Sequence, residues 1–124
     1  MALAVALIVG LMILLYNDDV EIHRFSEVKA PDGKHSLSID LGNPSMPMGS
    51  HLVRIAIKSV AGEPVMEGDF RLANDGANIS SDNIHAEWID HDSAEVCLRG
   101  DEQSDVRVSI EVSSRRMTEK KEKC

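Results

Sequence analysis

Val106, Val108, Ile110 and Val112 alternate with Arg107, Ser109, Glu111 and Ser113. A period of two puts the aliphatic side chains on one side of an extended strand and the polar ones on the other. A segment written this way belongs in a sheet with one buried and one wet face. Leu37, Ile39 and Leu41 repeat the pattern around Ser38 and Asp40, and Val53, Ile55 and Ile57 repeat it with Arg54 and Lys58 opposite. Further strands are expected near 20–29, 65–73, 84–89 and 95–99. No amphipathic helix of useful length and no convincing internal repeat is visible.

The punctuation agrees. In Pro31-Asp32-Gly33, proline presets φ and glycine accepts a positive φ. Residues 42–49 form a longer loop, Ala61-Gly62-Glu63-Pro64 closes another strand pair, and Asn74-Asp75-Gly76 and Asp90-His91-Asp92-Ser93 read as turns. About seven short strands at this spacing predict an all-β fold, an antiparallel sandwich or partly open barrel. Only 3% of residues are aromatic, so the core must rest on aliphatic side chains, with Trp88 as the single large anchor.

Residues 1–16, MALAVALIVGLMILLY, carry no charge and no proline. As a helix they extend roughly 24 Å at 1.5 Å per residue, short of a hydrocarbon core of about 30 Å. Thinning of the bilayer or a few flanking residues absorb such a mismatch. A helix apolar on every face has no place in the core of a small β domain. A cleaved signal peptide is the competing reading. Against it stand the missing Lys or Arg before the apolar run and the absence of a small-x-small cleavage site at Leu14-Leu15-Tyr16-Asn17. The chain therefore divides into a transmembrane anchor at 1–17, a β domain at 18–114 and a basic tail at 115–124. The expected place is a bacterial inner membrane crossed once. Arg24, Lys29 and Lys34 weakly favour the domain inside. The usual behaviour of short N-terminal anchors and the acidic flank Asn17-Asp18-Asp19 favour the periplasmic side, which is the expectation adopted.

Charge is unevenly spread. Residues 18–114 hold 8 Lys and Arg against 19 Asp and Glu, and residues 115–124 hold 5 against 2. The acidic domain is repelled by phosphate backbones, so nucleic acid is not an expected partner. The tail reads as a solvated, frayed terminus, or as a contact for anionic headgroups or an acidic partner. Cys97 and Cys124 do not make a disulfide framework, and a bridge between them requires the tail to fold back. Cys97, out of phase with Val96 and Leu98, is expected to be a small half-buried side chain with no positive neighbour evident to lower its thiol pKa.

Candidate sites are few. His85, Glu87, Asp90, His91 and Asp92 form the densest cluster of groups that suit Zn²⁺ or another divalent metal. His85 and Glu87 share a strand face and the three others sit at the adjoining turn, where such residues ordinarily serve backbone hydrogen bonds. Met46-Pro47-Met48 offers an adaptable contact surface in the 42–49 loop, or a cap on the core. Residues 75–82 lack the alternating oxygen ligands of a calcium loop, and Asn78-Ile79-Ser80 is a chance glycosylation match. There is no G-x-S-x-G elbow, no H-E-x-x-H and no phosphate loop. No enzyme activity and no cofactor are expected.

Ala30-Pro31-Asp32-Gly33-Lys34 followed by Leu37-x-Ile39 resembles a strand entry common in exported bacterial β proteins, including blades of TolB-type propellers. Trp88-Ile89-Asp90-His91-Asp92-Ser93-Ala94-Glu95-Val96 is similar to a strand–turn–strand found in the same settings. Together they resemble small membrane-anchored bacterial domains of unknown function. The resemblance covers roughly 20 residues of turn signature, and propellers need several blades, so it implies no catalytic residue. The leading functional expectation is a membrane-tethered β-sandwich, held by residues 1–16, that binds a protein or cell-envelope component without catalysis. The alternatives are a metal-dependent domain centred on His85, His91 and Asp92, and an immunity-type inhibitor.

Overall fold

The structure is a computed structural model that describes residues 22–42, 51–73, 79–100 and 103–124. The anchor expected at 1–17, the Met46-Pro47-Met48 loop, the Asn74-Asp75-Gly76 turn and Asn78 lie outside the described residues. Among the described residues no helix is long and apolar enough to cross a membrane.

Eight antiparallel strands follow one another: β1 (Ile22–Lys29), β2 (His35–Gly42), β3 (His51–Ser59), β4 (Pro64–Leu72), β5 (Ile84–Trp88), β6 (Ser93–Leu98), β7 (Val106–Glu111) and β8 (Arg116–Lys121). They form two four-stranded meanders, β1-β2-β3-β4 and β5-β6-β7-β8. Leu37, Ile39, Leu41, Val53, Ile55 and Ile57 from the first sheet share one buried cluster with Ile84, Ala94, Val96, Leu98, Val106, Val108 and Ile110 from the second. The arrangement is a two-sheet sandwich rather than a barrel. The alternating positions that predicted the strands are the ones that fill its interior.

Local chemistry accounts for the tight turns. Gly33 adopts φ 71° and Gly62 φ 85°, values that cost a side chain with a Cβ about 1–2 kcal/mol. The Asp32 carboxylate accepts the Lys34 N–H at 3.0 Å, and the Gly33 N–H donates to the Ala30 carbonyl. A register shift between Arg24 and Ser26 bulges the edge strand β1, a feature that discourages further strand pairing.

The residues read as a solvated tail are instead an edge strand. β8 pairs with β7 along its length, from Glu111 opposite Arg116 to Val106 opposite Lys121. It escapes the alternation test because only Met117 packs against the core. The charged Arg116, Glu119, Lys120 and Lys121 are what an exposed edge carries to resist pairing with another chain.

The two sheets repeat one plan. Each is a meander whose first and last connections are short and whose middle connection is longer: 30–34, 43–50 and 60–63 in one, 89–92, 99–105 and 112–115 in the other. Two pairs of equivalent strands touch, β1 with β5 and β4 with β8. Trp88, closing β5, donates its indole N–H to the Val28 carbonyl near the end of β1 at 2.9 Å. A Cβ on Gly68 of β4 would meet Met117 of β8. The third strands carry matching sequences, Val53-Arg54-Ile55-Ala56-Ile57 and Val106-Arg107-Val108-Ser109-Ile110. This repeat is five residues long and half of it is generic strand alternation, so the sequence shows it only once the topology supplies the alignment.

Candidate functional site

The outer face of the first sheet pairs opposite charges along one cross-strand row. Directly opposed positions run Arg24, Asp40, Arg54, Asp69 across the four strands. Arg24 reaches Asp40 at 2.6 Å and Glu27 at 2.8 Å, and Arg54 reaches Asp69 at 2.9 Å and Glu67 at 3.2 Å. The hydrogen bond from Arg54, outweighing some desolvation, holds the Asp69 carboxyl below the usual carboxylate range. A depressed carboxyl contributes stability that is present above its unfolded pKa and is lost as pH falls through its folded one. Arg54→Gln is therefore expected to destabilise the domain by about 0.2–1 kcal/mol at pH 7, the range for exposed pairs. The difference from wild type should shrink as pH drops below about 4. Urea titrations of both proteins at pH 7 and pH 3 check this, and a difference that is unchanged at pH 3 contradicts it.

The second sheet differs at equivalent places. The row matching Arg24-Asp40-Arg54-Asp69 is His85-Cys97-Arg107-Lys120, and the neighbouring row is Glu87-Glu95-Ser109-Thr118. No carboxylate stands opposite Arg107, and Glu87 stands directly opposite Glu95. Like charges in that position are destabilising. Among the described residues Glu95 has no ion pair, whereas Glu87 is 3.6 Å from the His85 Nε2. These side chains line a recess of about 400 Å³ with Arg99 and Cys124.

Residues 122–124 cross one end of this face as a strap. The Glu122 N–H donates to the Asp105 carbonyl at 3.1 Å and the Cys124 N–H to the Asp105 carboxylate at 3.2 Å. Arg99 donates to the Cys124 carbonyl at 2.9 Å and Arg107 to the Lys123 carbonyl at 3.4 Å. Cys97 and Cys124 are joined by a disulfide, with Cα atoms 6.1 Å apart. The tail does fold back, because β8 returns the chain along β7 and three more residues carry it over to β6. The expectation that Cys97 lacks a positive neighbour is overturned: Arg107 is its cross-strand partner. Strand pairing decides this, and sequence distance gives no hint of it.

The predicted metal cluster is not assembled. His85 and Glu87 do share the outer face of β5, both exposed. Asp90 is occupied in its turn, accepting the Asp92 and Ser93 N–H groups at 2.8 Å each, and the first of these bonds leads in holding its carboxyl below the ordinary range. Asp92 ties this turn to the β7–β8 turn, accepting from the Ser113 N–H at 2.9 Å and its hydroxyl at 2.8 Å. His91 is exposed between them. Among the described residues, Cys97, Asp105 and Cys124 are the group whose donor atoms converge, within 4.8 Å, but the two sulfurs are bonded to each other. The sequence reading thus found two residues of the recess, His85 and Glu87. It missed Glu95, Arg99 and Arg107, and the repeated V-R-[IV]-[AS]-I is a signal for Arg107 alone.

No protein-family model matches the chain, and no curated protein or solved structure matches it.

Proposed function

We propose that the domain is a membrane-tethered interaction module of a bacterial envelope, displayed on the periplasmic side by residues 1–16, and that its recess takes a basic segment of a protein partner. The observation that carries this reading is the opposed Glu87–Glu95 pair. The first sheet sets opposite charges against each other at three successive positions, so the fold is able to do so. The second sheet keeps two carboxylates face to face beside a recess of about 400 Å³. A Lys or Arg side chain arriving between them relieves the repulsion with charge-assisted hydrogen bonds. The Cys97–Cys124 bond supports the assignment of compartment, since disulfides persist where thiols are not kept reduced. For the metal-dependent alternative, Asp90 and Asp92 already accept hydrogen bonds within and between turns.

A photo-reactive residue at Glu95 in the full-length protein in intact cells is expected to yield a discrete partner adduct. The same residue at Glu67, on the opposite face, should not. Glu95→Gln at the facing pair should stabilise the isolated fold by roughly 0.2–1 kcal/mol while weakening partner recovery. Equal adducts from both faces, or none from Glu95, would remove the recess as the binding surface.

A further inference from the structure

The disulfide lies where the fold places an anion. In the first sheet Asp40 stands between Arg24 and Arg54, and in the second Cys97 stands between His85 and Arg107 at the corresponding register positions. Directly opposed residues have Cβ atoms roughly 4.5–5.5 Å apart, so the slot that holds a carboxylate in one sheet holds a sulfur in the other. Arg99 adds a second guanidinium to the same recess. Cations beside a cysteine stabilise its thiolate and make it the better leaving group when a disulfide opens.

We propose that Cys97–Cys124 is a thiol–disulfide exchange site whose co-substrate is a dithiol, and that exchange unlatches the 122–124 strap from the recess. The thiolate of the dithiol attacks the Cys124 Sγ. The S–S bond breaks and its electron pair leaves on the Cys97 Sγ, which becomes a thiolate between Arg107 and His85. The second thiol of the reagent then attacks its own sulfur in the mixed disulfide. It releases Cys124 as a thiolate, which takes up the proton that thiol gives off. The dithiol loses two electrons and closes to a disulfide, and the protein gains two. With the bond open, the strap is held by the hydrogen bonds from Glu122 and Cys124 to Asp105, from Arg99 to Cys124 and from Arg107 to Lys123, and by the Arg107–Glu122 ion pair at 4.0 Å. Arg99, already exposed, and the half-buried Arg107 lose their contacts with the strap when those bonds break. The chemistry stands whether or not a partner occupies the recess.

The test is a titration of the full-length protein in detergent with dithiothreitol, trapping free thiols at each ratio. The bond is expected to open with the far-ultraviolet circular dichroism of the sheets retained. Arg107→Gln should need about tenfold more reductant for half-reduction. Arg54→Gln, the equivalent change in the first sheet, should leave the midpoint in place. Trypsin cleavage after Lys121 and Lys123 should accelerate at least about tenfold on reduction, as expected of a freed terminal segment. A bond that opens only when the domain unfolds would overturn the proposal. So would a midpoint that Arg107→Gln does not move, or one that Arg54→Gln moves equally.

Discussion

Trp88→Ala is expected to cost about 3–5 kcal/mol, the range for truncating a large core aromatic. Trp88 packs against the shared core from the end of β5, and its indole N–H donates to Val28 of the other sheet at 2.9 Å. Trp88 is the largest of the side chains packed against the core beside Phe25 and Phe70, and it adds a directional bond between the layers. Trp88→Phe separates the two contributions. It retains most of the ring burial and leaves the Val28 carbonyl without its indole donor, for a loss of about 1–2 kcal/mol. Urea unfolding followed by circular dichroism checks both values, since removing Trp88 removes the only tryptophan fluorophore. An alanine variant within about 1 kcal/mol of wild type would mean that Trp88 does not anchor the sheets.

Gly100→Ala is the second large effect, expected at about 3 kcal/mol, the upper part of the usual range for overpacking. A Cβ at Gly100 would overlap the Ala73 carbonyl oxygen and sit 2.9 Å from its carbon. Backbone on the far side of the clash has no rotamer with which to retreat. The end of β4 would have to move away from the β6–β7 connection, taking with it the Ala73 N–H bond to the Gln103 side chain at 2.9 Å. Gly33→Ala is the informative control. It also replaces a glycine, but nothing lies within 4 Å of its Cβ position. Its loss is confined to the left-handed conformation, about 1–2 kcal/mol. Thermal melts of the two variants should rank Gly100→Ala clearly lower. Equal losses would contradict the close approach of the two sheets at that end.

Much of the fold was legible because burial in a sandwich imposes period two. Leu37, Ile39, Leu41, Val53, Ile55, Ile57, Val106, Val108 and Ile110 were core candidates from their spacing, and all are buried. Pro31-Asp32-Gly33 and Asp90-His91-Asp92 mark turns for reasons of φ preference and side-chain acceptance that act within four residues. β8 was not legible, since an edge strand held by backbone pairing needs only Met117 for the core. Half of the recess was missed for a related reason. Arg107 is one polar residue among many until strand register sets it between Cys97 and Lys120.

By itself the sequence determined the strands other than β8, their inward faces, most hairpins and the acidic character of the domain, because each follows from residues near one another along the chain. It also set the apolar character of residues 1–16. Only the tertiary structure decided that there are two meanders rather than a barrel, that the basic tail becomes β8, and that Cys97 and Cys124 meet across a separation of 27 residues. It alone decided that one cross-strand row of the first sheet alternates its charges while the second sheet sets Glu87 against Glu95 and Cys97 between His85 and Arg107. The physical reason is that charge complementarity and disulfide geometry depend on distances across strands. Those distances are set by register, which alternation along a single strand does not specify.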